Sequence, residues 1–168
     1  LIEIEGHKIL NTNDCILENP ERINDIKKII KKVDILFTQF SYANWVEGGE
    51  KNKKYREKLA YEKLNRIKTQ SNTLNPKFIV PFASMVRFCH KENSYMNDSI
   101  NTPKSTVDFI DKFTNSSSHL MVPYESWDGI TKKNNKDAII YWDEAYENAL
   151  NRDLIKQKKS YSIDELKI

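Results

Sequence analysis

Apolar and polar residues change their spacing several times along the chain, and each change marks a different predicted element. Apolar residues at 2 and 4 and the run Lys8-Ile9-Leu10 lie on either side of Gly6, which predicts a hairpin over residues 2–11. Asn19 followed by Pro20 is typical of a helix start, because Asn caps and Pro fits the first turn. Isoleucines at helical spacing follow, with lysines on the other face. A helix is therefore predicted after the hairpin.

Strands and helices continue to alternate along the rest of the chain. Strands are predicted over residues 34–37, 77–81 and 119–123, and helices over residues 51–75, 102–113 and 137–152. The helix over 51–75 is highly charged and has one narrow apolar seam, formed by Ala60, Leu64, Ile67, Ser71 and Leu74. The next helix places Val107, Ile110 and Phe113 on its inner face. This alternation predicts an α/β protein, and taken alone it favours a doubly wound parallel sheet.

Length and composition limit the classes of protein to consider. The 168 residues suit about one domain, and the tail after residue 156 is polar. Because 27 basic residues are mixed with 24 acidic ones, no commitment to nucleic acid is predicted, even for the lysine-rich helix over 51–75. The chain has no apolar run of membrane-spanning length, and two cysteines are too few for a disulfide framework. A cytoplasmic protein with reduced thiols is expected.

Two other features of the chain bear on function. It begins at Leu1 directly in strand-like sequence, so we expect it to be the carboxyl-terminal part of a longer protein. Residues 11–14 are polar immediately after a predicted strand and end in Asp14. A carboxylate at the carboxyl end of a strand is where α/β proteins tend to place ligand chemistry. The alternative is that Asn13 and Asp14 merely form an Asx-turn.

The three histidines, His7, His90 and His119, have no spacing that indicates a metal site. His7 is expected to be exposed beside the hairpin glycine, and His119 to be structural at the start of a strand. His90 is the strongest candidate, because residues 82–101 mix aromatics, a thiol and amides without clean periodicity. Loops of this kind often line sites.

Several short stretches carry a resemblance to a known family. They are NTNDC at 11–15, QFSYANW at 39–45, PFAS at 81–84, HKEN at 90–93 and YMND at 95–98. Together with the order of the elements over residues 1–125, they resemble the second half of the metallo-β-lactamase fold. The nearest subgroup contains the β-lactamase-like region of CMP-N-acetylneuraminate hydroxylase and related bacterial proteins.

The resemblance implies the carboxyl-terminal half of a four-layer αββα sandwich, with residues 1–155 as a partial domain and residues 156–168 as a polar tail. It implies that Asp14 is a metal ligand and that His90 is a possible second ligand. The metal would be zinc, iron or manganese, and would activate water in a hydrolase. Substrate contacts are expected from Gln39, Trp45, Tyr95 and Asn97, and the subgroup points to a nucleotide-sugar or glycan-related substrate.

The chain also departs from the family's pattern. The upstream H-x-H-x-D-H motif is absent, and Ala83 stands where a late histidine is expected. The isolated chain is therefore expected to be inactive without a missing amino-terminal half. The alternative partner is a second copy, because an exposed strand edge favours self-association into a dimer. The alternative function is a non-catalytic interaction or scaffold domain that has lost its metal site.

Overall fold

A computed structural model describes residues 1–15, 17–46, 50–156 and 161–166 of the chain, and it confirms an α/β fold. Its centre is one five-stranded sheet in the order β1-β2-β3-β4-β5. The strands are β1 (Ile2–Ile4), β2 (His7–Asn11), β3 (Ile35–Thr38), β4 (Phe78–Pro81) and β5 (Ser117–Ser118). β1 pairs antiparallel with β2, as the hairpin prediction requires, and the other neighbours pair in parallel.

Three helices connect the parallel strands: α1 (Pro20–Ile30), α2 (Lys53–Leu74) and α3 (Pro103–Phe113), with a 3₁₀ helix at Ser94–Ser99 before α3. Two more follow β5, namely α4 (Lys136–Leu150) and the short α5 (Ile163–Leu166). The predicted cap of α1 is confirmed, because the Asn19 side chain accepts a hydrogen bond of 2.8 Å from the backbone N–H of Glu21. None of the helices among the described residues combines the length and the apolar composition that spanning a membrane requires.

The first three helices lie on one face of the sheet. Alternate strand residues such as Leu10, Leu36 and Ile79 point to this face and pack in one core with Ile23 of α1 and Ile67 of α2. Ile110 of α3 belongs to the same core. When parallel strands that follow each other in the chain are also neighbours in the sheet, connections of the same handedness place all their helices on the same side of the sheet. The doubly wound arrangement favoured by alternation alone is therefore not the one observed.

The opposite face of the sheet, here called the open face, carries no helix among the described residues. By strand register it contains Ile2, Ile4, His7, Ile9, Ile35, Phe37, Phe78 and Val80. Met121 and Trp127 of the segment 121–130 cover its β3–β4 part. Ile2 and Ile4 remain 58% and 57% exposed. A mainly parallel sheet is normally covered on both faces, so this apolar surface is unusual.

Some predicted details were wrong. The last strand was predicted over residues 119–123, but β5 ends at Ser118. After His119 donates its backbone N–H to Ile79, the next residue, Leu120, donates to the side chain of Asn135 and the chain leaves the sheet. Phe113 was predicted to face inward and is 44% exposed. In the predicted polar tail, residues 157–160 and 167–168 lie outside the described residues.

Candidate functional site

Three polar side chains meet where β2 and β3 end, and we call them the edge cluster: Asn13, Asp14 and Gln39. The Gln39 amide nitrogen donates to Oδ1 of Asn13 at 2.8 Å and to Oδ1 of Asp14 at 3.0 Å. The Asn13 amide nitrogen donates to the other Asp14 oxygen, Oδ2, at 3.0 Å. Two amides therefore hold one exposed carboxylate in a fixed orientation, and the structure brings together the predicted residues Asp14 and Gln39.

The backbone around the edge cluster is also fixed. Thr12 donates both its N–H and its hydroxyl to the carbonyl oxygen of Phe37, which ties the turn after β2 to β3. Asp14 has φ 57°, in the left-handed region that Asp tolerates better than most residues. Ala83, which follows β4, has φ 55°. Non-glycine residues in this region cost free energy and cluster at functional sites, which makes this edge of the sheet a candidate site.

The Asx-turn considered from the sequence exists, but a different residue makes it. Asn11 Oδ1 accepts a hydrogen bond of 2.8 Å from the backbone N–H of Asn13. The Asp14 carboxylate accepts side-chain amides, and an ionised carboxylate has about four lone-pair sites. Asp14 therefore keeps the capacity to bind a cation while Asn13 and Gln39 orient it.

The other predicted site residues lie in a different part of the structure. The exposed His90 forms a parallel bridge with Ile155 and donates its backbone N–H to the Asn93 side chain at 3.1 Å. Trp45 is 61% exposed on a loop. The Tyr95 ring lies 4.9 Å from the guanidinium carbon of Arg56. No hydrogen bond or ion pair among the described residues joins these side chains to the edge cluster.

Asn97 has a clear structural role. Its Oδ1 accepts from the backbone N–H of Phe88 at 2.8 Å, and its Nδ2 donates to the carbonyls of Phe88 and Ser94, both at 2.9 Å. These bonds fold the segment 88–97 on itself. Residues 82–101 are therefore a packed unit rather than an open loop, and their irregular composition reflects side chains that bond to their own backbone.

His119, which the sequence predicts to be structural, is buried directly after β5, the strand at the opposite edge of the sheet from β1. His119 is 1% exposed and stacks on Trp127 with 3.8 Å between ring centroids. Neither ring nitrogen has a hydrogen-bond partner among the described residues. Burial is the largest influence and lowers the pKa of His119, against the opposing effect of Glu125. The strand-like sequence around His119 gave no signal of this environment.

Replacing this buried imidazole should stabilise the protein. We expect His119→Phe to raise the free energy of unfolding by about 1–2 kcal/mol, since two unsatisfied polar atoms are removed and the stacking is kept. Because the folded pKa is lowered, the wild type should lose stability as pH falls below about 6.5, the ordinary histidine value. Urea unfolding at pH 7 and pH 5 should show a larger gain at pH 5. The exposed His90→Phe is the control, and an equal gain there would contradict the argument.

Known proteins offer no guide to this site. No family model matches the chain, and neither the curated proteins nor the solved structures contain a match. The function therefore has to be argued from the geometry of the edge cluster and from the sequence.

Proposed function

We propose that this chain is the carboxyl-terminal part of a metallo-β-lactamase-fold, metal-dependent hydrolase-like protein, and that Asp14 supplies one ligand of its metal site. The observation that carries the proposal is the edge cluster, where two amides orient an exposed carboxylate at the carboxyl end of the sheet. Asp14 is a hard oxygen ligand, which suits zinc, manganese or ferrous iron. A metal bound there would lower the pKa of a water molecule.

The rest of the ligand set has to come from elsewhere. Among the described residues, no group of three or more His, Cys, Asp or Glu side chains could hold a metal ion. One carboxylate fits as a partial site, and the amide donors Asn13 and Gln39 act as the residues that orient it. The proposal therefore includes a second polypeptide element that supplies the remaining ligands, either an upstream half or a second copy.

The proposed substrate class follows from the resemblance. Nucleotide-sugars and glycans present flat or stacked faces, and the exposed indole of Trp45 is suited to stacking on them. His90 is available at the surface for a ligand or substrate contact. The cytoplasm is the proposed compartment, in keeping with the two free cysteines.

The test measures bound metal in the protein purified from its native host with whatever polypeptide accompanies it. Elemental analysis should find stoichiometric zinc, iron or manganese in the wild type. Asp14→Asn keeps the shape and tolerates the left-handed backbone, but removes the charge, so the metal should be lost. Gln39→Met should weaken the metal affinity by about 10–100-fold, as loss of an orienting residue does.

A matched control distinguishes a specific metal site at Asp14 from a general effect of removing one negative charge from the surface. Asp25 is another exposed carboxylate, paired with Lys28 on α1 at 2.8 Å, and Asp25→Asn should leave the metal content unchanged. Metal that persists in Asp14→Asn would overturn the proposed ligand. Absence of metal from the native assembly would overturn the hydrolase assignment.

The second candidate is a non-catalytic interaction or scaffold domain. The observation that favours it is Ala83, which occupies the position of the expected histidine and adopts φ 55° after β4. In that case Asp14→Asn should change neither metal content nor partner binding, and its effect should be limited to a small change in stability.

A further inference from the structure

The open face contains a groove between the β1–β2 hairpin and the segment 121–130. Its volume is about 370 Å³. The floor is apolar and comes from the sheet residues Ile9, Ile35 and Phe37. Trp127 forms one wall and Ile4 the opposite edge. This is the size of a small binding pocket and it continues onto the exposed Ile2 and Ile4.

The wall formed by the segment 121–130 is held in place by specific contacts. The Trp127 indole donates to the carbonyl of Thr131 at 2.8 Å, and its ring packs edge-on against Phe78 with centroids 5.0 Å apart. Gly129 has φ 74°, and a Cβ there would come within 3.1 Å of Ile35 Cδ1. Glycine therefore allows the segment to approach the sheet closely, and the groove is formed before anything binds.

Two carboxylates stand at the rim of the groove, against one nearby cation, the Lys77 ammonium that donates to the carbonyl of Ile130 at 3.3 Å. Glu5 and Asp128 both line it and both are exposed. Hydrogen bonds from Thr131 and Ile130 lower the pKa of Asp128 to about 2, so that this carboxylate remains charged at any physiological pH. His7 is the other titratable group at the groove. An apolar floor with carboxylates at its border favours an occupant that is apolar with positive charge at its margin.

We propose that this groove is the docking site of a partner polypeptide whose apolar face is bordered by Lys or Arg. The partner's apolar side chains fill the groove over Phe37 and Trp127, and its cations lie against Glu5 and Asp128. A second copy of this chain fits less well, because two copies would oppose one concave groove to another and bring two acidic rims together. The inference rests on the proposed function, which requires a second polypeptide element. It adds the place where that element binds and the kind of side chains that it presents to the groove.

The probe is a short peptide in which leucine and lysine alternate, compared with one in which leucine and glutamate alternate. Binding is followed by ¹⁵N–¹H NMR of the full chain, in which the indole signal of Trp127 reports on the groove and that of exposed Trp45 serves as a reference. The leucine–lysine peptide should shift the Trp127 signal and leave Trp45 unchanged. The leucine–glutamate peptide should bind at least about fivefold more weakly.

Two pairs of variants test the apolar and the charged parts separately. Glu5→Gln should weaken binding of the lysine peptide by about threefold to fivefold, whereas Glu3→Gln should not, because Glu3 lies on the other face and pairs with Lys8 at 3.6 Å. Ile4→Ser should weaken it by about fivefold or more, whereas Ile29→Ser on α1 should not. Both isoleucines are exposed, so neither change threatens the fold.

Three results would overturn the proposal. The first is equal binding of the two peptides, which would indicate an apolar site without charge selection. The second is a Trp127 shift that depends on protein concentration alone, which would indicate a second copy as occupant. The third is a lysine peptide that binds without affecting Trp127. No metal is present in these measurements, so failure here leaves the Asp14 test unaffected, and loss of the metal site would leave the groove result unaffected.

Discussion

Asp98→Ala is expected to lower the free energy of unfolding by about 3 kcal/mol or more, because it leaves a buried arginine without its carboxylate partner. Arg56 is 1% exposed. Its Nε donates to Asp98 Oδ1 at 3.1 Å and its Nη2 to Oδ2 at 2.7 Å, a two-pronged ion pair. Nη2 also donates to the carbonyl of Glu50, and the guanidinium lies over the Tyr95 ring. The Glu50 carbonyl and the Tyr95 ring carry no formal charge, so these two contacts do not replace the charge of the Asp98 carboxylate.

Urea unfolding at pH 7 measures this effect, and Asp108→Ala is the matched control. Asp108 pairs with Lys104 at 2.8 Å, but both side chains are more than half exposed. Such surface pairs contribute about 0–1 kcal/mol, so the control should change stability by less than 1 kcal/mol. Similar losses in the two variants would contradict the assigned importance of the Arg56–Asp98 pair.

The pH dependence of the same pair has a definite sign. The hydrogen bonds from Arg56 are the largest influence and hold the pKa of Asp98 below its usual value of 3.8. A carboxyl whose folded pKa is lowered stabilises the protein fully above the unfolded pKa and loses that contribution as pH falls through the folded one. The stability difference between wild type and Asp98→Ala should therefore be constant from pH 7 to about pH 5 and shrink below about pH 4.

The sequence could not predict this pair. The sequence shows α2 as a highly charged helix with one narrow apolar seam, a pattern in which the charges outside the seam face solvent, and Lys58 and Glu62 are indeed exposed. Arg56 lies on the same helix, four residues and about one turn before Ala60, where the apolar seam begins. Its burial depends on residues 82–101 folding over it, and no local pattern in α2 reports a contact 42 residues away.

In the candidate site, too, the residues could be predicted from the local sequence, whereas the contacts between them depend on the fold. Asp14 was predicted because a carboxylate directly follows a strand, and Gln39 because it belongs to a stretch that resembles the family. Their hydrogen bond follows from the parallel pairing of β2 and β3, which brings the two strand ends together. By contrast, Asn97 looked like a site residue because it sits among unusual neighbours, whereas its amide bonds to the local backbone.

The open face could be seen in the sequence only as alternation in β1. Ile2 and Ile4 alternate with Glu3 and Glu5, which predicts a strand with one apolar side. Whether that side is covered depends on strand order, and order depends on crossovers that the sequence does not specify. Because the strands follow each other without reversal, α1, α2 and α3 all lie on the opposite side.

Ile67→Ala should cause the other large loss, about 3–4 kcal/mol, and this one follows from the sequence as well as from the structure. Ile67 was predicted to lie in the seam of α2, and it is fully buried in the core that includes Leu36 and Ile79. Removing three methyl or methylene carbons there loses burial and leaves a cavity against a rigid sheet. Alanine favours the helix, so the loss measures packing rather than helix propensity.

Ile29→Ala on α1 is the control, since Ile29 is 81% exposed and should change stability by no more than about 0.5 kcal/mol. Equal losses in urea unfolding would contradict the assignment of the seam. The seam also matters for the site, because one turn further along α2 the Gln70 side chain accepts a hydrogen bond of 2.8 Å from the Thr38 hydroxyl at the end of β3. A shift of α2 into the cavity would therefore move Thr38 and the adjacent Gln39, so the core of α2 and the orientation of Asp14 are physically connected.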